Sequence, residues 1–223
     1  MSSSAQEKKQ TSSANNPLVQ VKRGRNRSIN DRQALLDFID QSLICYVGFQ
    51  IAGQVRVIPT CHWRDGEYLY WHGHSKAANI AGADKEGQKV CITLSSLDGL
   101  VMARSAFHHS VNYRSAMIYG VPEAITDPEE KHEQFERFVE KISPGRWPQL
   151  RPVTATETQA TGILRIKLDE ASMKVRAEGV IDDKDDMDWP VWAGVLPLAP
   201  SWGEPEQDTQ QTNDYPLPDK PSL

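Results

Sequence analysis

The chain has 223 residues, with 25 Lys and Arg against 30 Asp and Glu, 39% hydrophobic residues and three cysteines. That balance excludes the basic footprint of a nucleic-acid binder, and three cysteines without paired spacing exclude a disulfide scaffold and point to a reducing, cytoplasmic setting. No run of 18 apolar residues and no apolar signal segment are present, so neither a membrane span nor secretion is expected.

Charge is unevenly distributed. Residues 1–27 carry +5 and open on MSSSAQEKKQTSSANNP, too polar to bury, and are expected to form a disordered basic arm. Asn30 followed by Gln33 resembles a helix cap, and Leu35, Leu36, Ile39 and Leu43 recur at helical spacing, which predicts a helix over about 31–42. LICYVGFQ and QVRVIPTCHW flank a turn at Ala52-Gly53, a hairpin pattern, and Asp65-Gly66 makes a second turn into the strand EYLYWH. SKAANIAGAD reads as a short helix and KVCITLSSL as a strand. Leu100 to Ala124 is strand-like, with VNYRSAMIYGVPEAI as its second limb.

DPEEKHEQFERFVEKI is a helix capped by Asp127 with Pro128 in its first turn and Phe135, Phe138, Val139 and Ile142 on one stripe. TGILRIKL and SMKVRAEG are two further strands. Six or seven strands in hairpin order with helical inserts predict a mainly β, antiparallel barrel over about 28–200. Residues 180–223 carry −8. In them DDKDDMD (182–188) reads as a solvated acidic linker and 201–223 as a flexible acidic, Pro-rich tail.

The chemistry concentrates around Tyr70–Ile80. A strand ends, Gly73 turns the chain, and Ser75 stands where a helix cap belongs, with Lys76 beside it. Unpaired amides at a helix start, the helix dipole and a lysine make a phosphate cradle, although the same residues also describe a plain cap with a solvated lysine. Arg56 interrupts a β-branched strand. Arg104, His108, His109, Tyr113, Arg114 and Ser115 form a second cluster, in which Arg114 reads equally as a snorkelling cation or as an anion or ring contact. His72, His74, His108 and His109 leave haem ligation open, but no acidic residue has the spacing of a metal site. Cys45 and Cys91 read as core thiols. Cys61 and His62, adjacent on a strand, face opposite sides and cannot act as a pair.

Strand-Arg-strand, Y-x-H-x-x-S-K-x-x-N-I and F-H-H-S-V-N-Y-R-S-A-M-I-Y-G, in this order over about 28–200, resemble the FMN-binding split-barrel family. That family includes the pyridoxamine 5′-phosphate oxidases. The nearest resemblance is to its flavin-nucleotide-binding branch with the nitroimidazole-resistance proteins, whose ending WAGVLPL (192–198) also resembles. The resemblance implies a six-stranded antiparallel split barrel acting as a homodimer, with FMN in grooves between the subunits. It places Arg56, Val57 and Ile58 along the flavin edge and His72, Ser75 and Lys76 at the ribityl phosphate. The resemblance also implies that Tyr113, Arg114 and Ser115 contribute from a neighbouring strand and that Trp192 covers the ring. The Ser-Arg-Lys run of the oxidases acting on pyridoxamine phosphate is here Ser75-Lys76 without the arginine, which argues against that activity. The function implied is an FMN-dependent oxidoreductase for a small organic substrate. A flavin carrier or sensor and a haem-binding barrel stand as alternatives, with no catalytic acid or base identified.

Overall fold

The computed structural model describes residues 17–83, 87–213 and 215–221. The expected disorder of residues 1–16 therefore lies outside the described residues. A two-residue strand β1 (Ser28–Ile29) leads into α1 (Arg32–Gln41). Its cap is Asp31 rather than Asn30: the Asp31 carboxylate accepts from the Gln33 amide at 2.9 Å, filling one of the orphan donors of the first turn. β2 (Ile44–Ile51) and β3 (Gln54–Asp65) follow as a hairpin. Ala52 (φ 49°) and Gly53 (φ 76°) both take positive φ, which matches the twist of a two-residue turn. β4 (Tyr68–His74) returns beside β3, and α2 (Ala78–Ala81) is a single turn.

β5 (Val90–Met102) and β6 (Ser110–Gly120) form the longest pair, and β7 (Glu123–Ile125) is short. α3 (Pro128–Ile142) starts as predicted, with the Asp127 side chain accepting from the Glu130 amide. α4 (Ala155–Ala160), not foreseen from the sequence, carries a capping box between Thr154 and Glu157. β8 (Thr161–Lys167), β9 (Ala171–Arg176) and β10 (Gly194–Pro197) complete the chain. No helix among the described residues is long and apolar enough to cross a membrane.

The strands are antiparallel and run β1-β9-β6-β5-β2-β3-β4-β8-β7, with β10 on β5. The sheet curls without closing, which is a split barrel. Ten strands replace the expected six or seven because β1, β7 and β10 are too short to show a period in sequence. The main core joins Phe38 and Ile39 of α1 to Val47 and Phe49 of β2, Trp71 of β4 and Ile92 and Leu94 of β5. A second cluster of Trp63, Tyr70, Ile125 and Ile163 lies under Phe135 and Phe138 of α3. In that helix Gln134 is buried, accepting from Trp63 Nε1 at 2.7 Å, while Ile142, expected on the apolar stripe, is exposed.

The acidic run 182–188 is not simply solvated. Asp182 is buried against Arg104, accepting from its guanidinium at 2.8 Å and its amide at 3.1 Å. Burial alone would raise that carboxyl, but the bonds from Arg104 outweigh it and hold Asp182 below its usual range. Asp183 faces His108 at 3.2 Å. Cys45 is buried, and burial pushes its thiol up to about 12. Cys91, expected in the core, is instead half-buried, because it pairs across from Gly48 and Tyr119 on the outer face of the sheet.

Candidate functional site at the open edge of β3

β3 pairs with the whole of β2 through its first eight residues, from Gln54/Ile51 to Cys61/Ile44, and with β4 only through its last four, from His62/Trp71 to Asp65/Tyr68. Beyond that point β4 follows β8 instead, Gly73 opposite Gly162 and His74 opposite Thr161. The two strands therefore part, and one edge of β3 over Gln54–Cys61 has no partner strand among the described residues. Such an edge offers a row of N–H and C=O groups to whatever planar, hydrogen-bonding partner lies along it.

Arg56, Val57 and Ile58 stand on this edge. Arg56 lies opposite Phe49 and Val57 opposite Gly48, so the two side chains leave opposite faces. Val55 is 71% and Val57 60% exposed, far more than β-branched residues on a central strand of a covered sheet. Of the ten arginines between residues 28 and 200, only Arg56 makes no hydrogen bond or ion pair among the described residues.

The turn His74–Ala77 forms the other wall of the split. The Ser75 amide donates to Ala160 O at 2.8 Å, the Lys76 amide to His74 Nδ1 at 3.2 Å and the Ala77 amide to His74 O at 2.7 Å. The helix starts only at Ala78, with Ala77 as its cap residue and no side-chain cap bond. The expectation of Ser75 as a helix cap is thereby corrected: its backbone is tied to the end of α4, three residues before the helix. Lys76 is exposed, and its ammonium has no hydrogen-bond or ion-pair partner among the described residues.

Three of the other expected residues are held elsewhere in this chain. His72 shares the face of Tyr70, under α3: its ring lies 4.3 Å from Phe138 and 5.8 Å from Trp63, and burial lowers its pKa. Arg114 is not free. It binds Asp98 through Nε at 3.1 Å and Nη2 at 3.0 Å, donates to Gln41 Oε1 at 2.9 Å and lies over the Phe38 ring. Trp192 is 61% exposed and folds back on Gly194, where a Cβ would meet its ring at 2.6 Å. That places it at the end of β5 that pairs with β10, away from the end that pairs with β2.

Tyr113 and Ser115 leave the opposite face of β6 from Arg114. Tyr113 faces Leu97, and Ser115 faces Ser95. That outer face continues across Met117, Tyr46 and Ile44 to Val57 and Val55, all of them exposed. It is not among the features expected from the sequence, although ICYVGFQI, apolar at nearly every position, carries the signal of a strand covered on both faces. Among the described residues no group of three His, Cys, Asp or Glu side chains is placed to hold a metal ion.

A family profile described as pyridoxamine 5′-phosphate oxidase matches residues 31–175. Among solved structures, the flavocytochrome Anf3 from Azotobacter vinelandii is 38% identical, with a TM-score of 0.86 over 91% of this chain and 94% of that one. The FAD and heme binding protein from Mycobacterium smegmatis is 29% identical, with a TM-score of 0.81 over 86% of this chain and 94% of that one. A candidate 5-nitroimidazole antibiotic resistance protein from Bacteroides thetaiotaomicron shares the fold at 24% identity and a TM-score of 0.56, over 66% of this chain and 86% of that one. The curated proteins contain no match. A profile spanning well over half of the chain, on a sheet split between β3 and β4, makes this protein a member of the pyridoxamine 5′-phosphate oxidase family of split barrels.

Proposed function

We propose that this protein is a dimeric flavin- and haem-binding redox protein that relays electrons between a reductant and a small acceptor, with its flavin along the open edge of β3. The observation carrying this reading is the 38% identity, over nearly the whole of both chains, to a flavocytochrome. The residues of this edge fit a flavin: an unpartnered strand edge for the hydrogen-bonding rim of the ring, exposed Val57 for its flat face, and the unpaired Arg56 for negative charge. Bound there, the flavin would supply hydride and single-electron chemistry, and haem single-electron chemistry. The chain's own part is to bind, orient and shield. Arg56 would stabilise an anionic ring or phosphate, and Lys76 would face the nucleotide from the other wall.

FAD is preferred to the FMN expected from the sequence. A terminal monophosphate needs a concentrated cradle, and here Ser75 caps nothing and α2 is one turn long. The relative whose flavin is named also binds FAD. The exposed outer face from Ile44 to Met117 is the surface a second copy would cover, closing the groove beside Val57. For haem, His109 is the best-prepared ligand. Its Nδ1–H donates to Ser105 O at 2.8 Å, which leaves the Nε2 lone pair pointing outward from an exposed ring. His74 instead accepts the Lys76 amide at Nδ1, so its proton sits on Nε2.

The absorption spectrum of purified protein, with mass spectrometry of the released ligand and sedimentation, tests this reading. A two-banded flavin spectrum plus a Soret band on a dimer is expected. Protein that retains neither group after reconstitution would refute it. Arg56→Ala is expected to weaken flavin binding about 10- to 100-fold, the loss of a charge-assisted contact of about 1.5–3 kcal/mol; unchanged affinity in a fluorescence titration would remove Arg56 from the site. His109→Ala is expected to abolish the Soret band while leaving the flavin bands intact. Retention of both would remove His109 as the haem ligand.

A further inference from the structure

Between α1 and the C-terminal end of α3 lies a cavity of about 380 Å³, lined by Asp37, Asp40, Gln41 and Lys141 with apolar Leu43 and Pro144. It shares no residue with the β3 edge. Lys141 is half-buried, and its Nζ donates to one protein acceptor, Ile39 O at 3.2 Å. The same carbonyl already accepts from His62 Nε2 at 3.0 Å. An ammonium has three hydrogens to place, so Lys141 has spare donors at the cavity wall. Asp40 does not take them as an ion pair: both of its oxygens are bound by Arg64.

We propose that Lys141 is a nucleophilic amine that condenses with small, neutral hydroxyaldehydes in this cavity. The Nζ lone pair forms the C–N bond to the carbonyl carbon, giving a carbinolamine. Loss of the former carbonyl oxygen as water, with both amine hydrogens, leaves an imine, and nothing is oxidised or reduced. The lining selects the partner. Asp37 accepts from Gln33 Nε2 through one oxygen, leaving the other for a hydroxyl; Gln41 accepts Arg114 through Oε1, leaving its amide to donate. Asp37, which has no ion pair among the described residues, disfavours an anionic aldehyde.

Electrostatics support the geometry. Burial holds the Lys141 pKa down at about 8, with Arg64 of β3 acting in the same direction; Asp40 of α1, Cys45 of β2 and Cys61 of β3 oppose it. Relative to an exposed lysine, this raises the neutral, nucleophilic fraction at pH 7.5 on the order of a hundredfold.

The experiment incubates the native full chain with glycolaldehyde at pH 7.5, traps imines with cyanoborohydride and maps the modified lysines by mass spectrometry. Lys141 is expected to react at least about tenfold faster than exposed Lys89 and Lys184, with a rate rising through a midpoint near pH 8. Glycolaldehyde should outpace glyoxylate, and Asp37→Asn should narrow that gap. Guanidine-unfolded protein should label all three lysines alike. Labelling of Lys141 no faster than Lys89 and Lys184 in the native protein, or equal rates with glyoxylate, would overturn the proposal.

Discussion

Gly162→Ala is expected to destabilise the fold by roughly 1–3 kcal/mol and to release the turn that forms one wall of the split. Gly162 of β8 lies opposite Gly73 of β4. A Cβ on Gly162 would overlap Ile80 Cγ2 and lie 3.4 Å from the Ser75 Cα. Ile80 is buried in the main core and cannot swing outward, and Ser75 is held through its amide by Ala160. The overlap must therefore move α2 or the 74–77 turn. A double-mutant cycle with Ile80→Ala checks this. Ile80→Ala alone costs about 2–5 kcal/mol through its cavity, but the pair should cost less than the sum, because the alanine methyl enters the space that Ile80 vacates. Strict additivity in denaturant midpoints would show that the strands absorb the methyl without contact between these two sites. If the wall matters for the flavin, the single variant should also lose cofactor affinity while Ile80→Ala retains more of it.

The parts of this fold legible in sequence were those governed by local chemistry. Ala52-Gly53 and Asp65-Gly66 announced their hairpins because the chain there needs residues that tolerate positive φ, and Asp127-Pro128 announced α3 because cap and first turn are adjacent. The site was less legible, because its residues are sorted by strand parity and by distant partners. Tyr113, Arg114 and Ser115 look like one cluster in sequence, but a two-residue period sends Arg114 to the opposite face. Its counter-ion, Asp98, is reached only through the β5–β6 register, which shifts between Leu97 and Gly99 and leaves Asp98 as the unpaired residue of a bulge.

Ser75 misled for a related reason. The pattern of strand, glycine and hydroxyl before a helix was right, but the Ser75 amide is taken by the end of α4 and the helix begins later. Arg56 was legible as a cation among β-branched residues. What the sequence could not supply is that β4 leaves β3 at His62, which turns an ordinary interior strand into an open edge.

Acidification from pH 7.5 to 5 is expected to cost about 2 kcal/mol through His62 alone. The imidazole is 1% exposed. Because a carbonyl only accepts, Nε2 must carry the hydrogen toward Ile39 O, and Nδ1 is buried with no partner in the described structure. Burial, reinforced by the nearby Lys141 ammonium, holds the pKa down at about 3, against 6.5 for an ordinary histidine. Between those values the unfolded chain binds a proton that the folded chain refuses. The His62 contribution is therefore flat above about pH 6.5 and falls by about 1.4 kcal/mol per pH unit below it, until the folded histidine titrates. Lys141, held down at about 8, is partly neutral only in the folded chain near pH 7.5, so it adds a small loss of the same sign above about pH 6.5 and no slope below it. The depressed carboxyls of Asp182 and Glu157 lose their contributions only nearer their own ordinary range, so the window from pH 6.5 to 5 isolates histidines. His72, also lowered by burial, acts in the same direction and should leave a residual slope in a His62 variant. His62→Gln retains an N–H for Ile39 O but cannot take a proton. Urea midpoints measured at pH 7.5 and 5 should fall much less for it than for the parent chain, whereas equal losses would place the acid sensitivity outside this buried ring.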